Sequence, residues 1–172
     1  TERAIKDLRP ITIDQVRFLS RRAYVPWREV LPGEVEAAAA VLKAHPTPPW
    51  QPGLEGVELT SWEWLRAIMA LQFAEMRKTS THYPWEIQVI RLGDVVVVGS
   101  PGEPFVEAQL EIKKKPPVPF VICSHSTNDS PGYLPTRKAY EGGGYETANR
   151  FKAGGLDIFI CHAQSMLQEI CS

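Results

Sequence analysis

The sequence predicts an α/β fold: a mixed sheet with a strand–helix–strand crossover and flanking helices, part of a larger layered α/β domain. Three observations predict it. Residues 84–93, PWEIQVIRLG, alternate apolar and polar side chains, as a half-buried strand does. Gly93-Asp94 then reads as a tight hairpin turn into VVVVGS, whose unbroken valine run suits a strand buried on both faces. Finally, a helical pattern at 104–115 is followed by VPFVICSH, a second apolar strand. A crossover of this size joins parallel strands in a right-handed sense.

The other elements follow in chain order. Residues 10–25 carry Ile11, Ile13 and β-branched neighbours; they suit an extended strand, with a short helix from Thr12 as the alternative. LPGEVEAAAAVLKAH reads as a helix, because Val35, Ala38, Ala39 and Leu42 share a face and alanine favours helix. The proline cluster HPTPPWQP at 45–52 and PPVP at 116–119 read as rigid connectors between structured segments. A helix over about 60–78 is predicted from the stripe Leu65, Ile68, Met69, Phe73 and Met76, with Thr60 and Glu63 in capping-box spacing. In the crossover helix Pro104 suits the first turn, and Phe105, Ala108 and Ile112 face inward. A long Gly-, Ser- and Tyr-rich loop spans 125–155. The chain closes with an amphipathic helix through Phe159, Ala163, Met166, Leu167 and Ile170.

Composition narrows the function classes. The chain has 172 residues, enough for a sizeable core in one domain, and a formal net charge of -1. That charge argues against non-specific binding to nucleic acid or an anionic membrane. No run of about 18 apolar residues exists, so no transmembrane helix is expected. No signal peptide is visible in a chain that begins at Thr1. The compartment, secreted or cytoplasmic, is open. Cys123, Cys161 and Cys171 form neither a CxxC pair nor a disulfide framework. Cys123 and Cys161, set among apolar residues, are expected to pack as small hydrophobes.

Chemistry is expected at one rim of the sheet. Glu103 follows the carboxyl end of the valine strand, and SHSTNDSPGY follows the carboxyl end of the next. Ligands of open α/β sheets bind outside those ends. Glu103 has two readings there: a carboxylate stabilised by a helix N-terminus, or a metal ligand or general base. The polar loop offers His125, Asn128, Asp129, Tyr133, Arg137, Tyr140 and Tyr145, while Ser130 and Pro131 read as turn residues. His45, His82, His125 and His162 form no HxH or HExxH pattern, and only His125 lies at the predicted rim. P-loop, dinucleotide and G-x-S-x-G fingerprints are absent.

GDVVVVGSPGEPFVE, followed by a strand and then by NDSPGYLPTRKAYEGGGYE, resembles the neutral/alkaline (non-lysosomal) ceramidase family, in the C-terminal part of its catalytic domain. The close match covers residues 85–147. The resemblance implies a zinc-dependent amide hydrolase acting on an N-acyl sphingoid base or a related amide. It also implies zinc held by two histidines, a glutamate and a tyrosine, the last two matching Glu103 and Tyr133. Arg137, Tyr140 and Asn128 are then expected on the substrate side, with His125 and Asp129 nearby. The family's two histidines and its nucleophile belong to the N-terminal half of its domain, which residues 1–84 do not resemble. The chain is therefore expected either as one domain or as the C-terminal portion of a ceramidase-like domain, supplying part of a site completed by an upstream segment or second chain. GEPF and NDSPGY depart from the family's turns, and its additional β-sandwich has no counterpart here. The alternatives are a non-catalytic fragment or binding module, and a metal-independent enzyme using His125 and Asp129.

Overall fold

A computed structural model describes residues 5, 6, 8, 10–53, 57–148 and 150–172. The fold is mixed α/β and divides into two compact units: residues 1–26 with 83–172, and residues 27–82.

The larger unit holds a four-stranded sheet in the order β1-β4-β5-β7, with β1 at Val16–Pro26, β4 at His82–Leu92, β5 at Val95–Gly99 and β7 at Phe120–Ser124. Residues 10–15 are not in a regular element, and the strand alternative holds from Val16 onward. The expected hairpin forms. Leu92 pairs with Val95 across Gly93-Asp94 in antiparallel register, and Gly93 takes a positive φ of 56° that the turn requires. The crossover also forms: β5 pairs with β7 in parallel, Gly99 opposite Ser124. Both strands therefore release their chains at one edge.

Alternation gives the sheet two faces. Ala23, Val25, Trp85, Ile87, Val89, Val96 and Val98 are all fully buried on one. The C-terminal helix, α5 (Gly155–Cys171), packs on β1 and against α3 (Val106–Ile112). Its Phe159, Ala163, Met166, Leu167 and Ile170 are buried, as their spacing predicts. A Cβ added at Gly155 would meet Val25 and Leu134 at 2.8 and 2.9 Å, so a glycine lets this helix approach the sheet closely.

Three local expectations are corrected. Of the four valines of β5 only Val96 and Val98 are fully buried, and β7 is half exposed, with Phe120 and Ile122 open to solvent. The reason is that alternate side chains of β5 and β7 point to the sheet face that the C-terminal helix does not cover. The crossover helix begins at Val106 rather than 104, because Glu103 and Pro104 form a short strand, β6, and the Phe105 amide donates to the Leu134 carbonyl at 3.0 Å. Cys161 is exposed and Cys123 only half-buried.

The smaller unit contains α1 (Glu34–Ala44), α2 (Trp62–Thr79) and the short antiparallel pair β2 (Trp50–Pro52) and β3 (Glu58–Thr60). Trp27 and Phe73 are buried edge-to-face with centroids 5.7 Å apart. Arg28 lies over the Phe73 ring and grips both carboxylate oxygens of Glu34 at 2.6 and 2.9 Å. The Thr60–Glu63 capping box does not form. Thr60 is committed to β3 opposite Trp50, so the helix starts one residue later, with Ser61 as its cap.

Candidate functional site

The chain leaving β5 and the chain leaving β7 are stitched together at the sheet's carboxyl edge. The Ser100 amide donates to Ser124 O at 2.9 Å, and Thr127 N returns a bond to Ser100 O at 2.9 Å. Ser126 N donates to Gly102 O at 2.7 Å, and Gly102 N to Asp129 O at 3.0 Å. Then β6 (Glu103–Pro104) pairs in parallel with β8 (Tyr133–Leu134), which puts Glu103 opposite Tyr133. Gly102 makes the approach possible: its φ is +62°, and an added Cβ would lie 2.4 Å from Gly132 O and 2.7 Å from the Trp85 ring.

Glu103 and Tyr133 are neighbours across the β6–β8 bridge. A hydrogen bond from the phenol to the Glu103 carboxylate holds the Tyr133 hydroxyl above the usual tyrosine range; burial and the charge of Glu103 add to this, followed by Tyr145 and Glu146. The rings of Tyr133 and Tyr145 meet edge-on at 5.9 Å. Tyr145 is one of several tyrosines in a polar loop; nothing in its local pattern distinguishes it, and the contact with Tyr133 depends on how the loop folds back.

Beside the Glu103 segment lies an aromatic support in which Trp85 and Phe151 are buried. Trp85 Nε1 donates to Ser100 Oγ at 2.9 Å, and Ser100 Oγ donates to Pro101 O at 3.0 Å. Ser100 is the one buried polar residue among those described. Tyr83, Trp85 and Phe151 contact one another edge-on, with centroids 5.5 to 5.9 Å apart. Sequence pattern could not reveal this triad, because Phe151 is distant in the chain from the other two.

The remaining residues of the T-R-x-x-Y segment make local structure. Thr136 caps α4 (Arg137–Gly142) by accepting from Ala139 N at 3.1 Å. Arg137 Nε donates to Asp157 at 2.7 Å, at the start of α5. Its guanidinium lies over Gly154, where a Cβ would be 2.6 Å from Nη2. Tyr140 donates to Phe151 O at 3.0 Å. Asn128 is exposed with a φ of 66°. Asp129 accepts from the Tyr83 hydroxyl and from Ser130 N. His125 is exposed, hydrogen-bonds Ser126 Oγ at 3.1 Å through Nδ1, and borders a small cavity of about 80 Å³ with Phe105, Ala108, Cys123 and Phe159. The structure thus joins Glu103 to Tyr133, ties Asp129 to the loop that carries Tyr133, and gives His125 other neighbours.

As a donor set, Glu103 and Tyr133 fit part of a metal site. A carboxylate and a deprotonated phenol are both oxygen ligands of the kind metals take. Zinc sites use three or four protein ligands. Among the described residues no group of three or more His, Cys, Asp or Glu side chains is placed to hold a metal. No helix among the described residues is long and apolar enough to cross a membrane.

No family profile matches the sequence, and no curated protein matches it. Two solved structures are similar in fold. One is a neutral ceramidase from Pseudomonas aeruginosa, with 17% identity and a TM-score of 0.44, covering 90% of this chain and 29% of that one. The other is a ceramidase complexed with C2, with 17% identity and a TM-score of 0.44, covering 90% of this chain and 30% of that one. The chain therefore spans less than a third of either.

Proposed function

We propose that this chain supplies Glu103 and Tyr133 to the zinc site of an amide hydrolase of the neutral ceramidase type. On this reading it is the C-terminal portion of the catalytic domain, and another segment or chain contributes two histidines and the nucleophile. The observation that carries the reading is the β6–β8 register. Two residues matched to the family's ligands by two separate motifs face each other across one parallel bridge. The substrate is an N-acyl sphingoid base or a related amide.

When bound, zinc supplies a Lewis acid that polarises an amide carbonyl and lowers the pKa of water. The chain's own part is to hold two oxygens in place. Tyr133, whose phenol the neighbouring Glu103 keeps protonated, would have to lose its proton to ligate, so metal uptake would release a proton and weaken as pH falls. Arg137, Tyr140 and Asn128 shape the substrate side. The first two do so through anchors at Asp157 and Phe151 that fix α4 beside Tyr133.

Metal analysis of the purified intact protein tests this, together with hydrolysis of a short-chain N-acyl sphingoid base. Zinc is expected in the wild type. Its affinity is expected to fall by at least about 10–100-fold in Glu103→Ala and in Tyr133→Phe, with hydrolysis lost in both. A zinc-free protein whose hydrolysis is unchanged by Glu103→Ala would sink the reading. The alternative is a binding module that keeps the fold without a complete metal site. That reading expects no hydrolysis by the intact protein at all.

A further inference from the structure

We propose that Tyr83 is a positioning residue whose hydroxyl, bonded to the Asp129 carboxylate, latches the 125–132 loop and so sets Tyr133 opposite Glu103. Tyr83 lies on β4, 46 residues before Asp129 in the chain, and donates to Asp129 Oδ2. The other carboxylate oxygen accepts from Ser130 N at 2.7 Å. The Asp129 main-chain oxygen accepts from Gly102 N at 3.0 Å, and Gly102 immediately precedes Glu103. One residue therefore touches the strand, its own loop and the segment carrying Glu103. Three residues further on, Gly132 O accepts from Glu103 N at 3.0 Å, directly before Tyr133.

The loop has reason to need a latch. Ser126 and Asn128 hold φ values of 51° and 66°, a region that L side chains disfavour. Such a conformation persists where its surroundings fix it. Tyr83 is itself fixed, its ring set edge-on against Trp85 and Phe151. Trp85 in turn holds Ser100, at the start of the Glu103 segment. Both arms of the Glu103–Tyr133 bridge thus trace back to neighbouring residues of β4. Burial and the Asp129 hydrogen bond both keep the Tyr83 phenol protonated, so it acts as a donor at neutral pH and not as an acid.

Tyr83→Phe removes the hydroxyl and keeps the ring. Residue-resolved amide hydrogen exchange is the direct measurement. The amides of Gly102, Glu103 and Ser126 are expected to exchange about 10–100-fold faster, as the loss of one charge-assisted bond allows local opening. Interior amides of β4 and β5 keep their rates. Unchanged rates at the three amides would overturn the latch, and so would equal acceleration throughout the sheet. Should Tyr83→Phe not fold, Asp129→Asn replaces it: an acceptor oxygen remains, and a smaller acceleration at the same three amides is expected.

The consequence for the site rests on Glu103 and Tyr133 being ligands. It is read as zinc affinity of the intact protein, expected to fall by about 10–100-fold in Tyr83→Phe. Faster local exchange with unchanged zinc affinity would reduce Tyr83 to a structural residue. A wild-type protein that takes up no zinc would remove the proposed function, and the latch would then be judged on the exchange rates.

Discussion

The two faces of the four-stranded sheet arise from one alternation and meet different surroundings. On the inner face Val89, Val98 and Cys123 stand in a row across β4, β5 and β7, and Val89 and Val98 are wholly buried. On the outer face the corresponding rows are Ile90, Val97 and Ile122, then Leu92, Val95 and Phe120. These are no less apolar, yet Ile122 and Phe120 are 52% and 58% exposed, and Phe18 on β1 is 56% exposed. Apolar character therefore does not decide which side chains are buried; coverage by the amphipathic α5 does. The difference matters for the site. The Trp85–Ser100 contact beneath the Glu103 segment belongs to the buried side, and so the rim is built on the covered face of the sheet.

Paired truncations break or sharpen this comparison. Trp85→Ala is expected to cost about 3–5 kcal/mol, the usual range for a buried aromatic. It removes the contacts to Tyr83 and Phe151 and leaves Ser100 without its donor. Phe120→Ala on the outer face is expected to cost under about 1 kcal/mol. Urea unfolding of both variants measures the gap, and equal losses would mean that the outer face is covered in solution. Ser100→Ala comes next, at about 1–3 kcal/mol, because it strands the buried Trp85 N–H. A loss no larger than that of an exposed serine, such as Ser124→Ala, would show that Trp85 finds another acceptor.

The same contrast explains what the sequence made legible. Period-two alternation in PWEIQVIRLG and the Gly93-Asp94 turn carried enough local information to define β4, the hairpin and β5. Helical spacing did the same for α5. Alternation tells which side chains share a face but not which face receives a helix, hence the half-exposed β7. The capping box failed for a related reason: its spacing is local, whereas the pairing of Thr60 with Trp50 is not. At the site, topology alone brought the Glu103 and 125–133 segments to one rim, since both follow the carboxyl ends of parallel strands. The ring contact of Tyr145 with Tyr133 and the latch from Tyr83 to Asp129 join residues 12 and 46 positions apart through a loop of mixed φ signs. No periodicity reports such contacts.

The smallest expected effect is one of pH, and it separates the latched rim from the rest of the sheet. Tyr83 is held above the ordinary tyrosine range by burial first, then by its hydrogen bond to Asp129, then by the charges of Asp129 and Glu86. A tyrosine whose folded pKa is raised stabilises the fold in its neutral form. That contribution is fully present below the unfolded value of about 10 and is lost as pH rises through the higher folded value. Tyr133, raised chiefly by Glu103, works in the same direction but is more weakly buried. Unfolding free energies at neutral pH and above pH 10 should therefore fall more steeply for the wild type than for Tyr83→Phe, because the variant has no phenol to ionise there. Lysines also titrate in this range, so the decisive quantity is the difference between the two proteins. Parallel alkaline losses in both would mean that the Tyr83 hydroxyl reaches solvent, and that the loop bearing Tyr133 is not held from β4.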